Sequence, residues 1–156
     1  MNSRRITFEE ELAANGKLVY TSVGYSMRPM LREGRDVIMI ESIGSRTLKR
    51  YDVVLFRRPD IKGRGEYVLH RILRVMPNGN YWIVGDNCTS GEIVPQEDIL
   101  GILTKVRRGG KKMLDVNDMS YRMYVTLWCK PYHVRIFLLR VSRFIKRLIK
   151  RLIKHK

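Results

Sequence analysis

Six short runs fix what this chain can fold into: LVYTSV (Leu18 to Val23), DVIMIES (Asp36 to Ser42), DVVLFRR (Asp52 to Arg58), YVLHRILRV (Tyr67 to Val75), NYWIVG (Asn80 to Gly85) and ILGILTKV (Ile99 to Val106). Each is rich in β-branched and aromatic side chains, which suit a pleated, half-buried surface, and each is bounded by turn formers. Gly44-Ser45, Gly63-Arg64-Gly65, Pro77-Asn78-Gly79-Asn80 and Gly109-Gly110 punctuate the series, and the PNGN segment is a strong hairpin signal. The expected architecture is a mainly β domain over residues 18–115. Residues 1–17 supply a short helix, with Thr7 as its cap, Glu10 completing a capping box and Gly16 as its stop. At 156 residues the chain is long enough for one domain with a hydrophobic core and too short for two ordinary ones.

From Tyr121 onward the period changes. Phe137, Val141, Phe144, Ile145, Leu148, Ile149, Leu152 and Ile153 recur at helical spacing, and basic residues fill the positions between them. Residues 116–156 are therefore expected to form a basic amphipathic helical tail, in which Pro131 discourages one continuous helix from Tyr121. Charge interrupts every turn, so this is no membrane-spanning segment. The formal net charge is +16 and the pI about 10.3. No acidic residue follows Asp118, so more than half of the excess lies in the tail. An anionic partner is implied, and a bilayer surface suits an apolar face flanked by Lys and Arg. A helix packed on the domain itself, or nonspecific nucleic-acid binding, are the alternatives. The second is the weaker, because few aromatics interleave with the basic residues.

Cys88 and Cys129 lie far apart without metal-ligand spacing, so neither a disulfide framework nor a metal site is expected, and reduced thiols in a cytosol are the default. The opening MNSRRITFEEELAANGK is positively charged but has no apolar run, so it reads as neither signal peptide nor anchor. The expected location is cytoplasmic, peripherally associated with the membrane.

Three segments carry possible chemistry: GYSMRPML (Gly24 to Leu31), EYVLHRIL (Glu66 to Leu73) and YWIVGDN (Tyr81 to Asn87). Singly, each has a bland reading: Ser26 as turn chemistry, His70 as a satisfied core histidine, GDN as a β-turn. Their order and spacing, from about Val23 to Gly101, resemble the signal peptidase and LexA clan of serine peptidases. That clan carries a G-x-S-M-x-P-type box, a strand bearing the general base, and a later GDN box. The resemblance implies a LexA/signal-peptidase-like β fold, a peptide or protein substrate and no cofactor or metal. Most of the clan uses lysine as base. His70 in VLHRIL instead resembles the endoplasmic-reticulum-type branch. The chain departs from that branch at Gly24, where those relatives usually have serine, so a hydroxyl contribution to the oxyanion hole is missing. It departs again after GDN, where CTSGE stands in place of the expected orienting aspartate.

Elementary chemistry agrees with the assignment. A serine hydroxyl is a weak nucleophile until a base takes its proton, and an imidazole with a pKa of about 6.5 does so near neutrality. Gly24 and the turn into Ser26 allow backbone N–H groups to converge on a developing oxyanion, each donor contributing roughly 3 kcal/mol. Candidates to orient the imidazole are Asp86, Ser90 and Glu92, and Asp86 can instead tie its own turn. Cys88 is a poor alternative nucleophile, since His133 and His155 both fall in the tail. Met27 and Met30 are expected to pack beneath the Ser26 turn, which Pro29 stiffens. The expected function is thus a serine endopeptidase with a Ser26/His70 dyad that processes leader or signal-type peptides. A non-enzymatic membrane-surface or nucleic-acid-binding module on a relic peptidase fold is the alternative. A LexA-type repressor would need a DNA-binding domain ahead of the first strand, so that role is not expected.

Overall fold

The computed structural model describes residues 6–59 and 65–154. Residues 1–5, the Gly63-Arg64 part of one expected turn, and His155 lie outside the described residues. Within them, all six expected strands form within two residues of their expected bounds: β1 (Lys17–Thr21), β2 (Val37–Ser42), β3 (Val53–Arg58), β4 (Glu66–Val75), β5 (Tyr81–Val84) and, after one further strand, β7 (Ile99–Arg107). Two three-residue strands, β6 (Glu92–Val94) and β8 (Met113–Asp115), are too short to leave a periodic signal in the sequence.

All pairings are antiparallel, in the order β1-β2-β7-β3-β4-β5-β6, with β8 beside the end of β7. Side-chain alternation divides the core between the two faces of the sheet. Val53 and Leu55 join Leu18, Ile38, Ile40 and Leu103 on one face, whereas Val54 and Phe56 join Val68, Ile72 and Ile83 on the other. β3 is thus buried on both sides, which is why DVVLFRR reads as a continuous apolar run. Register shifts between Met39 and Ile40, Leu55 and Phe56, and Ile72 and Arg74 mark bulges, which bend and twist a sheet. The sheet coils far enough that residues of β1 and of the first half of β4 line one cavity.

Helix α1 (Phe8–Asn15) begins with the expected capping box. The Thr7 hydroxyl accepts from Glu10 N–H at 3.2 Å, and the Glu10 carboxylate accepts from Thr7 N–H at 2.9 Å. It stops at Gly16, whose φ of 67° is left-handed. Phe8 sits between Tyr20 and Tyr67, at ring-centroid distances of 4.9 and 4.5 Å, so α1 links β1 to β4.

The helical tail is less separate than the sequence implies. Helix α2 (Met119–Tyr124) runs into a π-helical turn (Val125–Cys129), and Pro131 breaks the chain before helix α3 (Tyr132–Lys154). Tyr121 and Tyr124 pack against the β1–β2 side of the core, and Cys129, Arg135 and Ile136 are buried. A cut after Val134 would therefore open the interior. From Arg140 to Ile153 every residue is exposed. Among the described residues no helix is long and apolar enough to cross a membrane.

Candidate active site

The three chemistry-bearing segments meet at the GDN turn, and each residue of that turn makes a different connection. Gly85 provides close approach. A Cβ there would lie 2.8 Å from the Ser26 carbonyl oxygen, 2.9 Å from His70 Nε2 and 2.8 Å from Cys88 Sγ. Serine loop and imidazole are thus brought together around the space a side chain would fill. Asp86 is fully buried and receives a bidentate ion pair from Arg71, with Nε–Oδ1 at 2.8 Å and Nη2–Oδ2 at 2.7 Å. Asn87 holds the serine loop: its N–H donates to Ser26 O at 2.7 Å and its side-chain amide to Tyr25 O at 3.1 Å.

His70, next to Arg71 on β4, faces the other way and is 7% exposed. Its Nε2 points toward the Ser26 loop, while Nδ1 lies 3.5 Å from Glu92 Oε1 on β6. At that separation the contact is electrostatic, and buried Nδ1 forms no hydrogen bond among the described residues. Of the expected orienting candidates, Glu92 thus faces the imidazole. Asp86 is taken up by Arg71, Tyr124 (Oη to Oδ2, 2.9 Å) and Arg135 (3.5 Å), so among the described residues it binds side chains from other elements and does not tie its own turn through backbone hydrogen bonds as the alternative expected. Among the described residues Ser90 makes no hydrogen bond to Ser26 or His70. Arg58 holds the Glu92 carboxylate from the far side, with Nε–Oε2 at 2.8 Å and Nη2–Oε1 at 2.5 Å.

The electrostatics follow from this arrangement. Burial disfavours imidazolium and lowers the His70 pKa, with Arg58 adding to the effect, and Glu92 opposes both. Hydrogen bonding from Arg58 keeps Glu92 below the usual carboxylate range, so it is charged at neutral pH. Cys88 is half-buried, and burial raises its thiol pKa, which leaves it a poor nucleophile beside the imidazole.

Ser26 is half-buried in the turn after β1, above buried Met27 and Met30, which pack as expected. Among the described residues no hydrogen bond joins its hydroxyl to Nε2, although Ser26 and His70 line the same cavity. Such pairs commonly tighten only when substrate is bound. Gly24 has a φ of 81°, a left-handed conformation that disfavours any side chain and turns the backbone into the serine loop.

A cavity of about 450 Å³ opens beside this pair, lined on its apolar side by Leu18, Tyr20, Ile40, Leu55, Tyr67 and Leu69. β1 is the edge of the sheet, and β5 covers only Arg71–Val75 of β4. The alternation of the ladders turns the backbone groups of Val19 and Thr21, and those of Tyr67 and Leu69, away from their partner strands.

No protein-family model and no curated protein matches the chain. What the site can do follows from its own residues. Sequence reasoning included Asn87 in the GDN box without a role, and gave none to Arg71, Tyr124 or Arg135. The residue types were visible, but their pairing with Asp86 or Tyr25 spans 15 to 62 positions.

If Ser26 and His70 react together on a substrate, Gly85→Ala is expected to reduce that activity by about 100-fold, because a displacement of about 1 Å between reacting groups has that effect. Steady-state turnover of a correctly folded Gly85→Ala protein checks it, and wild-type rates would show that the close approach is not needed.

Proposed function

We propose that this protein is a serine endopeptidase of the signal peptidase and LexA type, with Ser26 as nucleophile, His70 as general base and Glu92 as the group that orients it. The observation that carries this reading is the convergence of the Ser26 carbonyl and His70 Nε2 around Gly85, with a carboxylate on the other side of the ring. A charged Glu92 beside Nδ1 favours the tautomer with its proton on Nδ1, which leaves the Nε2 lone pair free to accept the serine proton. The Ser26 alkoxide then attacks the substrate carbonyl. Imidazolium returns the proton to the leaving amine, and water hydrolyses the resulting acyl-enzyme by the same route in reverse.

The groove supports an extended peptide as substrate. Tyr67 and Leu69 line it, and at its β1 edge Val19 and Thr21 turn their backbone groups away from β2; among the described residues these groups have no strand partner, the requirement for strand addition. Its apolar lining suits small hydrophobic side chains ahead of the scissile bond, as leader or signal-type peptides present. Within this reading the fold is the LexA/signal-peptidase-like one, and the enzyme works on the cytoplasmic side, held peripherally at an anionic membrane surface by α3. A mixed peptide library analysed by mass spectrometry tests the activity: the protein should generate new termini at defined sites and Ser26→Ala none. Identical fragments from Ser26→Ala would remove the assignment.

The pH dependence has a definite sign. The base form of His70 is the neutral one, and burial holds its pKa below the ordinary histidine value. Activity should therefore rise with pH through a midpoint below about 6.5, the unperturbed value. Glu92→Gln removes the charge that favours imidazolium, so it should move this limb lower still while reducing the plateau rate about 10²- to 10⁴-fold. An unchanged plateau in Glu92→Gln would show that the imidazole needs no orienting carboxylate. Stability runs in the same sense: an imidazole buried with a lowered pKa contributes fully above its unfolded value and progressively less as pH falls below it.

A further inference from the structure

Helix α3 has two opposite faces. Tyr132, Ile136, Leu139 and Arg143, spaced four, three and four residues apart, share the face turned to the sheet. Tyr132 meets Trp82 edge-on at 5.6 Å, and Ile136 is buried. Arg143 reaches the active-site turn, where Nη2 donates to Asn87 O at 2.5 Å and Nη1 to Thr89 Oγ1 at 3.3 Å. The opposite face carries Phe137, Val141, Phe144, Leu148 and Leu152, between 38% and 73% exposed.

These contacts form a chain from helix to nucleophile. Arg143 holds Asn87 and Thr89, and Asn87 in turn holds Ser26 O and Tyr25 O. The helical end of the chain is its weak link. Beyond Leu139, Arg143 supplies the only hydrogen bonds from the described residues of α3 to the rest of the fold. A helical segment of that length without tertiary packing is marginal in water, whatever its sequence. The apolar face must be covered for Arg143 to stay in place.

Charge identifies the cover. α3 contains no acidic residue, and Arg140, Lys146, Arg147, Lys150 and Arg151 border or oppose its apolar face. Two copies packed apolar face to apolar face would crowd the bordering Arg140, Lys146 and Arg151 with no acidic residue to pair them, and a nucleic acid would leave the apolar residues in water. An anionic bilayer satisfies both, burying the apolar residues at the acyl boundary and pairing Lys and Arg with phosphates. Arg143 lies on the face away from the lipid, so phosphates do not compete with Asn87 for it. We propose that docking of α3 on an anionic bilayer orders the helix and, through Arg143, fixes the Asn87 turn and the Ser26 loop, so that the membrane surface switches the site on. The activation part rests on the peptidase reading, whereas the structural coupling does not.

Hydrogen exchange of the full-length protein, with and without vesicles of phosphatidylglycerol and phosphatidylcholine, tests the coupling. Vesicles should slow exchange in α3 after Arg140 and, by about tenfold, at Asn87–Thr89, the scale of losing a charge-assisted hydrogen bond. Arg143→Ala should keep the protection in α3 and lose it at Asn87–Thr89. Pure phosphatidylcholine should give less of both. Unchanged exchange at Asn87–Thr89 in the vesicle-bound wild type, or equal protection there in Arg143→Ala, overturns the proposal. So does a protein that ignores anionic vesicles while self-associating or gripping nucleic acid. A fluorophosphonate probe run in parallel separates the two readings. Labelling of Ser26 that quickens with vesicles supports both, and labelling indifferent to vesicles overturns the switch. Protection at Asn87–Thr89 without any labelling supports the coupling and removes the peptidase.

Discussion

Peptide turnover by His70→Ala is expected to fall at least about 10⁴-fold, and Ser26→Ala to fall as far. On the proposed mechanism, without the imidazole no described residue is placed to accept the serine proton near neutral pH: Glu92 lies on the far side of the ring, and burial raises the Cys88 thiol pKa. In the proposed mechanism the two residues act as one unit, so the double variant should be no slower than either single one. Steady-state rates for the three proteins decide the matter. A double variant slower than both by the product of their losses would mean that serine and histidine work independently. His70 is buried against Phe56, with ring centroids 6.1 Å apart, so His70→Ala also leaves a small cavity, and thermal melts must show the variant folded before its rate is compared.

Asp86→Asn is expected to act on stability instead, by about 3–5 kcal/mol, the usual result of removing one partner of a buried ion pair. Arg71 and Asp86 are fully buried, and Arg135, almost fully buried, lies 3.5 Å from the same carboxylate. The substitution would leave two buried guanidinium groups without a counter-charge and would leave one oxygen where Arg71, Tyr124 and Arg135 now share two. Urea unfolding should show a lower midpoint with an unchanged slope. The pH limb of any residual activity should move lower, but by less than in Glu92→Gln, because the Asp86 carboxylate favours imidazolium through space more weakly than Glu92 does. A stable Asp86→Asn protein with an activity loss of several orders of magnitude would return the orienting role to Asp86.

The strands of the sheet were legible because β-branched runs ended by Gly, Pro and Asn leave few alternatives, and the Thr7–Glu10 capping box was readable in four residues. The coiling of the sheet was not. It depends on three register shifts whose extra residues, Leu73, Leu100 and Thr104, look like any others in their strands. The division of labour between the two acids was equally hidden. Glu92 reaches His70 because it sits on a three-residue strand beside β5, and Asp86 is withdrawn because a tyrosine and an arginine from the supposed tail complete its cluster. The tail's apolar period marked a helix correctly, but only the fold shows that its first turns bury Arg135 and Ile136 and that Arg143 holds the active-site turn.

The central claim is that Ser26 is a nucleophile made reactive by His70. The most direct measurement treats the folded protein with a fluorophosphonate and locates the adduct by peptide mapping. The arrangement around Gly85 predicts one adduct, on Ser26, formed at a rate that rises with pH through the lowered His70 pKa and abolished in His70→Ala. An unlabelled Ser26, or one labelled equally well in His70→Ala, would contradict it.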